Sequence, residues 1–299
     1  MQTLKRWWNI ALDAFWQFSA DDGWAIASHI ALSGLMSLFP FFLVLTAVAG
    51  IIGSTELASE AARLVLEAWP QEVSGPIALE IQHVLQGAQQ QVLTVGAALA
   101  LFFASSGVES VRIGLNRAYS VVDTRSMWLL RLESIGYVIL GLVSVLALSF
   151  LVLLAPLIIR AATKYFPTHL PTYFPAYLST YWIALPDIDD TMTTVYRFTI
   201  ASVLIVVPLI VVHKWLPAGK RRFRDIMPGI LATLVLWLVA GTMFGRYLAD
   251  FAFTYSVYYA GLASPMIALA FLYFTSSIFI YGGELNATIL KYRNEEKQR

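Results

Sequence analysis

Glu109, Arg112, Asn116 and Arg117, then Arg131 and Glu133, and finally Glu284 and Asn286 are the polar side chains of this chain best placed to do chemistry. They fall at the edges of long apolar stretches. Charged groups at that depth of a membrane helix face the interior and pair. Glu284 is expected to pair with Arg112, Arg117 or Arg131, while Asn286 satisfies neighbouring polar groups. Such a pair serves either as a salt bridge locking helix ends or as a gate for a solute or ion, and both readings stay open. A second group lies in the first apolar stretch. Ser33 and Ser37 fall at helical spacing with His29 and Pro40. Pro40 removes an N–H and frees a carbonyl about one turn earlier, near Met36. Within a bilayer such a break has to be satisfied by neighbours or water. The face is therefore expected either to pack closely on another helix or to line a polar path, with Glu109 and Glu284 at its mouth.

Other chemistry lacks its residues. The chain has no cysteine, which excludes disulfides, thiolate metal sites and a cysteine nucleophile. His29, His83, His169 and His213 are scattered, and no HExxH, GxxxxGK[ST] or GxSxG pattern occurs. Asp187, Asp189 and Asp190 read as a solvated acidic loop before a calcium site. The expectation is no catalytic residue, no metal, no cofactor and no enzyme activity.

The elements that must position these groups are apolar helices. Residues 23–55, 81–108, 134–159, 198–213, 226–245 and 251–283 contain no Asp, Glu, Lys or Arg. A helix needs roughly 20 mostly apolar residues to cross a hydrocarbon core, and the fourth stretch reaches this only if its flanking charges snorkel. Charged residues are 13% of the chain and apolar residues 58%, against about 25% charged in soluble domains. The predicted fold is all-α: one polytopic membrane domain over residues 1–299, with spans near 24–53, 92–112, 134–159, 195–214, 226–247 and 265–288. Residues 54–91 and 160–194 are the longer external connections. Residues 54–91 read as two amphipathic helices, the first marked by Leu57, Ala61, Leu64 and Ala68, the second by Ile77, Ile81, Val84 and Leu85. Gly241 and Gly245 form a GxxxG pair that permits close helix contact.

Fifteen of the twenty Lys and Arg residues lie in the N-terminal segment, two alternate connections and the C-terminal tail. By the positive-inside rule both termini are cytoplasmic. Met1–Ala20 does not read as a cleavable signal peptide. Leu4, Trp8, Ala11, Phe15 and Phe18 mark the apolar face of a helix over residues 1–22, lying in the cytoplasmic interface or on the bundle's own end. The densest basic cluster, Lys220-Arg221-Arg222 with Arg224, sets topology and meets anionic headgroups ahead of any nucleic acid.

Three segments resemble the YihY/BrkB family of bacterial inner-membrane proteins. They are Ala27-Ser28-His29-Ile30-Ala31-Leu32-Ser33 with Ser37-Leu38-Phe39-Pro40, Asp123-Thr124-Arg125-Ser126 with Trp128 and Arg131-Leu132, and Tyr259–Pro265 with Phe271-Leu272-Tyr273 and Tyr281-Gly282-Gly283-Glu284-Leu285-Asn286-Ala287. The likeness runs from about residue 20 to 290 and departs at His29, where many members carry an aromatic residue such as Tyr. It implies a six-helix bundle in the bacterial inner membrane. Members are often suspected of export or lipid-related transport, and some carry an old ribonuclease BN label that the residues do not support. The expected function is a transporter or translocase of a small or amphipathic solute without its own ATPase; the alternatives are an envelope scaffold and, remotely, a membrane-bound ribonuclease. Expected partners are membrane lipids and that solute; the chain allows a homo-oligomer, and no nucleic acid is expected.

Overall fold

A computed structural model describes residues 2–52, 55–67, 74, 78, 95–169, 188–259 and 263–298. Every regular element among them is a helix: α1 (Gln2–Ala20), α2 (Gly23–Ile52), α3 (Thr55–Glu67), α4 (Val95–Ala118), α5 (Met127–His169), α6 (Ile188–Trp215), α7 (Phe223–Tyr259) and α8 (Ala263–Gln298). α2 packs chiefly on α4 and α8, and α8 also on α7 and α1.

Four helices are long and apolar enough to cross a membrane among the described residues, over Gly23–Leu45, Met127–Phe150, Phe223–Leu248 and Pro265–Gln298. α4 carries Glu109, Arg112 and Arg117, and the described apolar part of α6 is the shorter Ile205–Trp215. Phe102, Phe103, Val143, Phe150, Leu231, Val235, Leu238 and Met243 are exposed. So broad an apolar exterior suits hydrocarbon as its solvent.

Two apolar clusters fill the bundle. One joins Phe42, Leu45, Leu142, Leu146, Leu248 and Phe271 to Ala61 and Ala62 of α3. The other gathers Phe18, Ile30, Leu115, Leu209, Ile226, Ile230 and Ile280. Ala61 and Leu64 of α3 are buried, as their spacing predicts. Of the second amphipathic helix expected at Ile77–Leu85, only Ala78 is among the described residues, where it is helical and packs against the first cluster; Asp187 lies outside them. Asp189 and Asp190 belong to the start of α6.

Several sequence expectations shift. α5 begins at Met127, so Arg131 and Glu133 are helical residues and do not precede the helix. The buried stripe of α1 is Ile10, Ala14 and Phe18, whereas Trp8 and Phe15 are exposed with Trp7 and Trp16. Periodicity finds an apolar stripe but cannot say whether protein or lipid covers it. α1 is held to α8 by Tyr281, whose hydroxyl donates to the Ala11 carbonyl at 3.1 Å, by Tyr292 on the Asp13 carboxylate, and by Arg6–Glu296 at 2.7 Å. The GxxxG glycine Gly241 faces open space. The close approach of α7 to α8 is instead made by Gly229 and Gly282: a Cβ built on Gly229 would lie 2.0 Å from the Gly282 carbonyl oxygen.

Candidate functional site at the basic end of the bundle

Arg112 is 2% exposed in a largely apolar helix. Its Nη1 donates to the Leu130 carbonyl and to Ser134 Oγ of α5, each at 2.8 Å, and its Nη2 lies 3.6 Å from Glu109. Glu109 also pairs with Arg131 of α5. Arg131 also donates to the Phe102 carbonyl at 2.7 Å and to Ser106 Oγ at 3.2 Å, and lies 3.8 Å above the Phe102 ring. These bonds partner the buried Arg112 guanidinium and the terminal nitrogens of the half-buried Arg131, leaving Arg131 Nε without a partner among the described residues, and they fix α4 against α5.

A second group ties the connections together. Asn116 accepts from the Ala218 N–H at 2.8 Å and donates to Asp123 at 3.3 Å. Arg125 grips Asp123 through Nε at 2.8 Å and Nη2 at 2.7 Å, Glu133 at 2.6 Å and the Leu216 carbonyl at 3.3 Å. The α4–α5 and α6–α7 connections are thereby joined through one guanidinium. Its hydrogen bonds hold the Asp123 carboxyl at about 2, below the usual 3.8. A depressed carboxylate stabilises the fold above its unfolded value, and that contribution is lost as pH falls through the folded value. The thermal midpoint should therefore fall more steeply for the wild type than for Asp123→Asn as pH is lowered from about 4 towards 2. Parallel melting curves would show that the clamp contributes nothing.

A third group lies between α4, α6, α7 and α8. Asn286, 2% exposed, accepts from the Gly229 N–H at 2.6 Å and donates to the Ile226 carbonyl at 3.0 Å and Tyr119 Oη at 3.2 Å. Tyr119 Oη also lies 2.9 Å from His213 Nδ1. Burial pushes the Tyr119 phenol up to about 12, so it is neutral and able to donate to that nitrogen. His213 Nε2, Thr233 Oγ1 and Glu284 Oε2 are buried without a partner among the described residues.

The sequence-predicted residues are thus divided among separate contacts. Glu109 with Arg131, Arg112 with Ser134, and Asn116 with Asp123 form the α4–α5 side. Arg117 reaches Asp22 at 3.6 Å and Asp21 at 3.9 Å, beside the turn between α1 and α2. Glu284 does not form the expected pair with Arg112, Arg117 or Arg131. Those cations are engaged elsewhere, and Glu284 is only 1% exposed. Ser37 donates to the Gly34 carbonyl at 2.9 Å, and its Oγ stands 2.7 Å from where a Cβ on Gly107 would be. Of the two readings open for the face with Ser33, Ser37 and Pro40, this contact is one of close packing on α4. His29 Nε2 lies 3.3 Å from Ser110 Oγ on the same interface.

Sequence reasoning passed over Tyr119 and His213, and gave Arg125 no role in the site. The Asp123–Ser126 motif carried the signal for Arg125. His213 closes an uncharged stretch, which marks a histidine facing protein or lipid and not water.

Comparison with known proteins agrees with the membrane fold. The family model described as "Virulence factor BrkB" matches residues 14–299. The "Putative ribonuclease-like protein YfkH" of Bacillus subtilis (strain 168) is 23% identical over 280 residues, covering 93% of this chain and 94% of that protein. The "UPF0761 membrane protein RC1_0578" of Rhodospirillum centenum (strain ATCC 51521 / SW) is 30% identical over 100 residues, or 33% of this chain and 22% of that protein. No solved structure matches. With nearly its whole length matched by one family model, the chain belongs to the BrkB family of membrane proteins.

Proposed function

We propose that the chain is a non-enzymatic transporter or translocase of a small or amphipathic solute in the bacterial inner membrane, crossing it six times with both termini and the basic end of the bundle in the cytoplasm. The observation that carries this reading is Glu284: a carboxylate 1% exposed in a membrane helix, with an oxygen that no described residue satisfies. An unpaired ionisable group in a bundle is expensive and marks a solute or proton pathway by default. His213 Nε2 on α6 and Thr233 Oγ1 on α7 are further buried polar atoms without a partner among the described residues. No nucleotide-binding motif is present in the sequence, so movement would be passive, gradient-driven or energised by a partner.

A scaffold is the second reading, favoured by the tight contacts at Gly107 and at Gly229–Gly282. Flux separates the two. Vesicles containing the purified protein should move a fluorescent short-chain phospholipid between leaflets faster than empty vesicles do. Equal rates across lipid and small-solute probes would favour the scaffold.

Orientation has its own test, because the chain is free of cysteine. A cysteine at Arg222, which is exposed, should react with an impermeant thiol reagent only from the cytoplasmic side. One at Gln71, outside the described residues, should react only from the outside. The opposite pattern would invert the proposed topology.

A further inference from the structure

At the basic end, a cavity of about 500 Å³ opens between the end of α4, the α6–α7 connection and the last turns of α8. Its wall carries Lys220, Arg221 and Lys291, with Tyr119 and Leu290 beside them and Glu295 as the opposing charge. Arg221 is fixed in place. Its guanidinium lies 4.0 Å above the Tyr119 ring, and it donates to the Pro217 carbonyl at 3.3 Å and the Ala218 carbonyl at 2.9 Å. The connection turns at Gly219, whose φ of 90° is a conformation that favours glycine. No carboxylate lies within ion-pair distance of Lys220, Arg221 or Lys291 among the described residues, although the neighbouring Arg293 is paired with Asp225 at 2.7 Å. Burial lowers the Arg221 pKa below the usual guanidinium value.

We propose that this cavity is a binding site for a phosphate group, its oxygens meeting Lys220, Arg221 and Lys291. Arg221 supplies a positioned planar donor and the two lysines supply mobile point charges, a division suited to a compact oxyanion. Glu295 offsets one charge and leaves two in excess. Leu290, 39% exposed, and Val121 give the cavity an apolar wall on which the first carbons of an ester can rest. The volume lies within the range of small-ligand pockets, roughly 300–1,000 Å³, and exceeds what one bare phosphate fills. The phosphate can arrive as a soluble ion or ester, or as a lipid headgroup. Binding here is a property separate from flux, so either can fail alone.

The test uses the full chain in phosphatidylcholine nanodiscs. One arm measures binding of radiolabelled inorganic phosphate by equilibrium dialysis. The other measures retention of phosphatidic acid against phosphatidylcholine of the same chains. Each is repeated with Lys220→Gln/Lys291→Gln and with Glu295→Gln, whose substituted side chains are exposed and leave the helical core intact. Charge-assisted contacts of this kind make the double substitution weaken binding roughly tenfold or more, while Glu295→Gln tightens it. Saturable phosphate binding that obeys this order identifies a soluble ligand. Selective phosphatidic acid retention that obeys it, with little binding of inorganic phosphate, identifies a headgroup. Binding unaffected by the double substitution, or no preference for phosphate in either arm, overturns the site.

Discussion

Gly229→Ala should unfold or severely destabilise the protein, whereas Gly241→Ala on the same helix should not. A methyl group on Gly229 would lie 2.0 Å from the Gly282 carbonyl oxygen and 2.5 Å from Asn286 Nδ2. On the other side of the contact, a Cβ on Gly282 would lie 2.2 Å from Thr233 Oγ1. Neither helix backbone can retreat without opening the α7–α8 interface, one of the principal contacts of the bundle. Overpacking of ordinary cores costs about 1–3 kcal/mol; a clash with backbone should reach about 3 kcal/mol or more. Gly241 has nothing within 4 Å, so alanine there should gain up to about 1 kcal/mol of helix propensity. Thermal unfolding in detergent measures both. Equal midpoints for the two variants would mean that the Gly229–Gly282 contact does not hold these helices together.

Asn286→Ala is expected to have the next largest effect, a loss of about 2–4 kcal/mol in unfolding free energy, assembled from buried groups left unsatisfied at roughly 1–3 kcal/mol each. The amide bonds the Gly229 N–H, the Ile226 carbonyl and Tyr119 Oη at once, so one truncation disturbs α7 and the end of α4 together. Tyr119→Phe removes one hydroxyl from the same network and should cost less, about 1 kcal/mol. Chemical denaturation of the two variants under identical conditions gives the comparison. A Tyr119→Phe protein as unstable as Asn286→Ala would place the centre of the network at the phenol and not at the amide.

The helical membrane fold was legible because its cause is local. Long runs without charge state their own solvent, and the described helices α2, α5, α7 and α8 fall on four of those runs. The partners of the polar residues were not legible. Depth along a helix follows from counting residues, and counting placed Glu284 and the arginines at similar depth. Pairing depends on rotation about the helix axis and on which neighbour lies there. The early start of α5 at Met127 set Arg131 beside Glu109 and Ser134 beside Arg112. Glu284 was left without them. The glycines show the same limit. Gly241 and Gly245 form a motif by spacing, but the close contact uses Gly229 and Gly282, one from each helix, which no spacing within a single helix can announce. In α1 the tryptophans pointed to an apolar face, and the protein-facing stripe proved to be the adjacent Ile10, Ala14 and Phe18.

The central claim is that Glu284 is kept for transport and not for stability. Removing an unpaired buried carboxyl should not weaken the fold, since its burial is itself a cost. The decisive measurement is the transfer rate of the fluorescent phospholipid in vesicles containing Glu284→Gln, taken with the variant's thermal midpoint. The account predicts a midpoint equal to or above that of the wild type and a transfer rate reduced towards that of empty vesicles. A variant that melts earlier yet transfers the probe at the wild-type rate would contradict it, and would make Glu284 an architectural residue of the bundle.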